Sequence, residues 1–227
     1  MTMTSSATPA TPPATRIARR FADLRREKQM GLVAFLTAGD PDLAATESFV
    51  LAMAEAGADV IELGVPFSDP LADGPAIQRS SERALRAGTT LAGVLDLVAS
   101  IRRKSDVALV LFSYYNPVLQ MGLEQFADRA SAAGADGVLI TDMIPEEAGD
   151  YRRIVTSRGL DTIFLAAPTS PDERLVTIAA TTSGFLYLIS RTGVTGAKDT
   201  LPEDLPALVR RVRRVTPLPI AVGFGIS

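Results

Sequence analysis

Seven short apolar runs recur along this chain of 227 residues, and between them lie segments whose apolar positions have helical spacing. The runs are Leu32–Leu36, Asp59–Leu63, Val107–Phe112, Gly137–Ile140, Thr162–Leu165, Phe185–Ile189 and Pro219–Val222. They are apolar almost throughout instead of alternating. A strand of that kind is covered on both faces, which is the condition of a parallel sheet with helical crossovers. Two turns are near copies, Ala56-Gly57-Ala58-Asp59 and Ala133-Gly134-Ala135-Asp136. In each, glycine supplies the left-handed conformation that ends a helix, and aspartate leads into a strand. Helices are predicted over Arg16–Lys28, Asp42–Ala56, Ala76–Ala87, Leu91–Lys104, Leu123–Ala133, Glu146–Ser157, Asp172–Ala180 and Glu203–Val215. This order predicts a (β/α)8 TIM barrel. The alternative is an open doubly wound sheet, but no Gly-rich dinucleotide turn opens the first helix. An eighth βα unit needs about 30 further residues. The reading is therefore a barrel lacking its eighth unit, with the first and last strands left as unpaired edges.

Residues 1–15 are uncharged and rich in Thr, Ala, Pro and Ser, and read as a disordered tail; residues 16–227 read as one catalytic barrel domain. No apolar signal region follows the tail, so the cytoplasm is the expected compartment. No apolar run reaches the ~18 residues of a membrane span. The 23 basic and 26 acidic side chains give a net charge of -3, and a nucleic-acid surface would want a basic excess. Cysteine and histidine are both absent. That removes thiolate catalysis, the Ser-His-Asp mechanism and His- or Cys-ligated metals, and no other metal cluster is visible. Proton transfer must fall to Asp, Glu, Tyr or Lys.

One segment supplies such groups. Val60-Ile61-Glu62-Leu63-Gly64 is a buried-strand pattern that contains a carboxylate. Burying an unpaired carboxylate costs several kcal/mol, so such a residue titrates, pairs or works. The following loop, rich in Pro, Ser and Gly, carries Asp73. Asp73 also suits the N-cap of the helix starting at Ala76, and Asp69 suits a turn. Active sites of these barrels form at the C-terminal ends of the strands. Tyr187, Phe35 and Phe112 lie on strands near that end, and each also suits core packing. The loop Arg191–Ala197 carries two glycines and two threonines, which suits a lid or an anion cradle. Gly223-Phe224-Gly225 follows the last strand, where this fold often binds phosphate. Two carboxylates, a phenol, apolar walls and a backbone cradle suggest acid/base chemistry on a flat or apolar phosphate ester.

Five ordered motifs carry a resemblance: Leu36–Pro41, Glu62–Gly74, Tyr114–Pro117, Ser190–Gly196 and Gly223–Ser227. From about Arg16 onward the chain resembles the tryptophan synthase α chain family. The resemblance implies a carbon–carbon lyase that cleaves indole-3-glycerol phosphate to indole and glyceraldehyde 3-phosphate, in tryptophan biosynthesis. It implies Glu62, Asp73 and Tyr187 as catalytic-site residues. Phe35 and Phe112 match the pocket walls, Thr195 the lid, and Gly196, Gly223, Phe224 and Gly225 the phosphate cradle. It implies no cofactor in this chain, and pyridoxal phosphate in a partner β chain within an α2β2 heterotetramer. The loop after the strand of Glu62 and the loop containing Asn116 and Pro117 match surfaces facing that partner. The family's Pro-Pro pair is here Ile144-Pro145, and its eighth strand and Gly-Ser phosphate turn are missing. The competing expectation is thus a non-catalytic α-like partner that binds and modulates a β chain. A lone lyase releasing free indole has no specific support.

Overall fold

In a computed structural model, which describes residues 15–190 and 204–223, both copied turns do the same two jobs. Gly57 and Gly134 have φ of 101° and 88°, a conformation that L side chains rarely adopt, and there the preceding helices stop. The aspartate that follows then clamps a neighbouring strand. Asp59 accepts the Leu32 N–H at 2.6 Å, and Asp136 accepts the Leu109 N–H at 2.9 Å.

The elements run α1 (Arg16–Glu27), β1 (Val33–Thr37), α2 (Leu43–Glu55), β2 (Val60–Gly64), α3 (Pro75–Arg86), α4 (Leu91–Arg102) and β3 (Ala108–Ser113). Then follow α5 (Tyr115–Met121), α6 (Leu123–Ala133), β4 (Gly137–Ile140), α7 (Gly149–Ser157), β5 (Asp161–Ile163) and β6 (Leu165–Ala166). The last are α8 (Asp172–Thr181), β7 (Leu186–Ile189), α9 (Leu205–Arg213) and β8 (Ile220–Gly223). All strand pairs are parallel, in the order β1-β2-β3-β4-β5 and then β6-β7-β8. β5 and β6 are one run interrupted at Phe164, so the eight segments fill seven barrel positions. Among the described residues β1 pairs only with β2 and β8 only with β7. A cleft of about 880 Å³ lies between them, floored by α1 and reaching Phe35, Tyr187 and Gly223.

Alternate strand residues sort into two cores, as the pleat requires. Ile61, Leu63, Leu109, Leu111 and Val138 face outward into the layer shared with the helices. Val60, Ala108, Val110, Phe112, Leu139 and Ile163 fill the barrel interior. The basic helix α1 closes the N-terminal end of that interior. Ile17 is fully buried among the interior residues, and the Phe21 ring packs on Phe185 at 5.7 Å. A Cβ on Gly137 would lie 3.1 Å from Ile17 Cδ1, so glycine is what lets α1 sit this close. Three carboxylates at strand entrances hold the helix: Arg20 donates to Asp59 at 2.6 Å, Arg16 to Asp136 at 3.1 Å, and the Thr15 hydroxyl to Asp161 at 2.5 Å.

Four sequence expectations are corrected. Thr15, read as the end of the tail, is the N-cap of α1, its hydroxyl accepting the Ala18 N–H; residues 1–14 lie outside the described residues. The helix expected from Glu146 begins at Gly149, because 145–148 are occupied by tight turns. The strand expected over Thr162–Leu165 is divided. Finally the expected loop with Asn116 and Pro117 is the helix α5, which stands directly after β3, its first free N–H donated by Tyr115 to the Asp142 carboxylate at 2.8 Å.

Asp136 is the most heavily bonded of the three carboxylates, since it also accepts from Arg102 at 2.8 Å. It is 4% exposed. Asp136→Ala would leave Arg102 without its ionic partner in a mostly buried setting. Unfolding in urea is expected to show a loss of about 3 kcal/mol. Asp106→Ala, which removes a 3.5 Å contact from Arg16 to an exposed side chain, is expected to cost under about 0.5 kcal/mol.

Candidate active site

β2 is buried along its whole length. Glu62 shares a face with Val60 and so points into the barrel, level with Phe35 on β1 and Val110 on β3. It is 2% exposed, and its Oε1 has no hydrogen-bond partner among the described residues. Burial alone pushes its carboxyl up to about 8 from an ordinary 4.5. At neutral pH the group therefore carries a proton. It can give that proton to a base in the cavity and take one back.

Around it the walls are aromatic. Phe35 and Phe112 meet edge-on with centroids 5.2 Å apart. Gly64, in register with Phe112, leaves room for them: a Cβ there would sit 2.6 Å from Phe35 Cζ. Tyr187 comes from β7 across the interior. Burial, and after that the charge Glu62 can carry, raise its phenol above the ordinary range, so it stays protonated as a hydrogen-bond donor. Gly223 on β8 is packed against this phenol, where a Cβ would fall 2.0 Å from the hydroxyl oxygen. The visible work of Gly223 is thus to make room for Tyr187.

Asp73 is not the helix cap that its position allows. Gly74 takes the N-cap of α3, with Pro75 at the first helical position. The Asp73 carboxylate turns back into the structure, 4% exposed, and accepts from the Tyr114 hydroxyl at 3.2 Å. Burial raises its pKa and the Tyr114 bond opposes that. Gln78 Nε2 donates to the Asp73 carbonyl at 2.8 Å and ties the residue to α3. Asp69 forms a turn, as expected, its carboxylate accepting from the Ser68 hydroxyl. Glu62 sits near the C-terminal end of β2, and Asp73 is held by the residue that follows β3. Both acids therefore belong to the C-terminal mouth of two adjacent strands.

Thr195, Gly196, Phe224 and Gly225 lie outside the described residues. Tyr114 and Gly64 are site residues that reasoning from residue chemistry missed. The Tyr-Tyr-Asn-Pro motif marks the place of Tyr114, but neither periodicity nor residue type singles out its hydroxyl. Among the described residues no group of three or more Asp, Glu, His or Cys side chains could hold a metal.

The raised Glu62 pKa has a consequence for stability. Below about pH 4.5 the group is protonated folded and unfolded. Between there and about 8 the unfolded chain releases the proton while the folded chain keeps it, so stability falls as pH rises across that window. Glu62→Gln removes this dependence. Its melting temperature is expected to match the parent at pH 4 and to exceed it by a growing margin up to pH 8, in thermal scans followed by circular dichroism.

A family model described as "Tryptophan synthase alpha chain" matches residues 21–227. The tryptophan synthase alpha chain of Geotalea daltonii is 53% identical over 212 residues, covering 93% of this chain and 80% of the relative. That of Solibacter usitatus is 54% identical over 213 residues, covering 94% and 80%. Among solved structures, Mycobacterium tuberculosis tryptophan synthase superimposes with a TM-score of 0.88 at 39% identity, covering 94% of this chain and 81% of that one. A chain of the Pyrococcus furiosus α2β2 complex superimposes with a TM-score of 0.82 at 45% identity, covering 87% and 79%.

Proposed function

This chain belongs to the tryptophan synthase alpha chain family, and from that membership we infer that its barrel mouth performs the α reaction of tryptophan biosynthesis. The reaction is a retro-aldol cleavage of indole-3-glycerol phosphate to indole and glyceraldehyde 3-phosphate. The enzyme is a lyase that works with a tryptophan synthase β chain, and it has no cofactor of its own. For the partner we propose pyridoxal phosphate chemistry, and for the protein a cytoplasmic location. Among the described residues no single helix is long and apolar enough to cross a membrane.

The observation that carries the mechanism is the buried Glu62 carboxyl inside an apolar barrel, its Oε1 without a hydrogen-bond partner among the described residues; burial keeps the proton on it at neutral pH. Indole leaves poorly as a carbanion. Glu62 gives its proton to C3 of the ring, and positive charge then appears at the ring nitrogen. Asp73 accepts the ring N–H and stabilises that charge, which is small in the ground state and large at the transition state. The glycerol hydroxyl next to the ring returns a proton to Glu62. As the aldehyde C=O forms, the C–C bond to C3 breaks and its electron pair restores the indole. Protons balance: one leaves Glu62 and one comes back. Phe35 and Phe112 would flank the flat ring, and the Tyr187 phenol would orient the reacting end beside Glu62. The phosphate is assigned to backbone N–H groups around Gly196, Gly223, Phe224 and Gly225, with Thr195 in the lid.

Two apolar side chains stand out in the segments assigned to the partner. Leu71, in the loop between β2 and α3, is 89% exposed, and Leu119 on α5 is 55% exposed. They suit burial under the β chain.

Glu62→Gln keeps the size and shape of the side chain and removes the exchangeable carboxyl proton. Indole release from indole-3-glycerol phosphate is expected to drop by about 10²- to 10⁴-fold, with an unchanged circular dichroism spectrum. A variant retaining most of its turnover would remove Glu62 from the chemistry.

A further inference from the structure

We infer that Tyr114 is a positioning residue for the α reaction, holding the Asp73 carboxylate by one oxygen so that the other is presented to the ring N–H. The inference rests on the reading just given and deepens it.

Tyr114 sits between two rigid elements. It follows the last residue of β3 directly and is the N-cap residue of α5, with extended backbone angles of -97° and 161°. The next residue is pinned by Asp142, which accepts the Tyr115 N–H. The Tyr114 side chain is 5% exposed and its ring lies on Phe67, centroids 5.2 Å apart. The phenol oxygen is thus delivered to one point in the mouth, and the Thr141 side chain is a further hydrogen-bonding neighbour there.

At that point hydrogen-bond polarity leaves little choice. The Ala72 N–H can only donate, and it meets the phenol oxygen at 2.9 Å. The phenol must accept there, so its single proton is available for Asp73 Oδ2 at 3.2 Å. One side chain therefore fixes two consecutive residues of the loop, the second of them the acid. A carboxylate pivots about its terminal torsion unless something holds it. Fixing Oδ2 sets the plane of the group and with it the direction of Oδ1. Among the described residues Tyr114 is the titratable side chain bonded to Asp73. A tyrosine that only packed the loop would not need its hydroxyl between these two groups.

Tyr114→Phe tests this in the complex reassembled with the β chain, because it keeps the ring against Phe67 and removes only the hydroxyl. Losing a hydrogen bond to a charged group is expected to lower kcat for indole release by roughly 10- to 100-fold, with KM within about threefold. A second measurement does not depend on turnover: the Asp73 side-chain carboxyl followed by ¹³C NMR as pH is varied. Its midpoint should rise in Tyr114→Phe, since the bond that favours the charged form is gone. Unchanged kcat, a loss confined to KM, or an unmoved Asp73 midpoint would each overturn the inference. Should the parent enzyme release no indole, the assigned reaction fails, while the titration still decides whether Tyr114 holds Asp73.

Discussion

Keeping water away from one carboxyl organises this protein. Glu62 is useful because the barrel interior gives it aromatic walls and no partner for one of its oxygens among the described residues. Charging it there is costly, so it stays protonated where an exposed glutamate would have lost its proton. The interior is sealed at its N-terminal end, where Ile17 and Phe21 of α1 plug the barrel. Opening that end would let water in, and the carboxyl would revert toward its ordinary value.

The two ends of the barrel use carboxylates in opposite ways. At the N-terminal end Asp59 and Asp136 are saturated: each accepts a backbone N–H from a neighbouring strand and at least one arginine. Such groups are held immobile, and they join helix to sheet. At the C-terminal mouth Glu62 lacks a partner on one oxygen among the described residues, and Asp73 is held by a phenol through Oδ2. Residues of one chemical class thus become struts or reagents according to how many donors reach them. This division follows the general rule that such barrels are stabilised at the bottom and reactive at the top.

Much of this was legible in the chain. Apolar runs that do not alternate imply strands covered on both faces, and the glycine-aspartate turns mark where helices stop and strands begin. Those signals are local, so the elements fall within a few residues of where they were read. Where the reading failed, the deciding partner was distant in sequence. The first turn of α5 depends on Asp142, twenty-seven residues after Tyr115. Asp73 turns away from the cap of α3 because Tyr114, forty-one residues on, is there to donate to it. Phe164 interrupts a strand that the sequence reads as one run over Thr162–Leu165.

By itself the sequence determined the alternation of strands and helices, the absence of histidine and cysteine chemistry, and the presence of an acid in an apolar run. These follow from residue type and spacing, which the chain carries without any fold. Only the tertiary structure decided which face Glu62 takes, which donors reach Asp73, and why residues 64 and 223 are glycines. The reason is that burial and hydrogen-bond saturation are properties of a neighbourhood. The space below Phe35 and beside the Tyr187 hydroxyl comes into being only when β1, β2, β7 and β8 stand together.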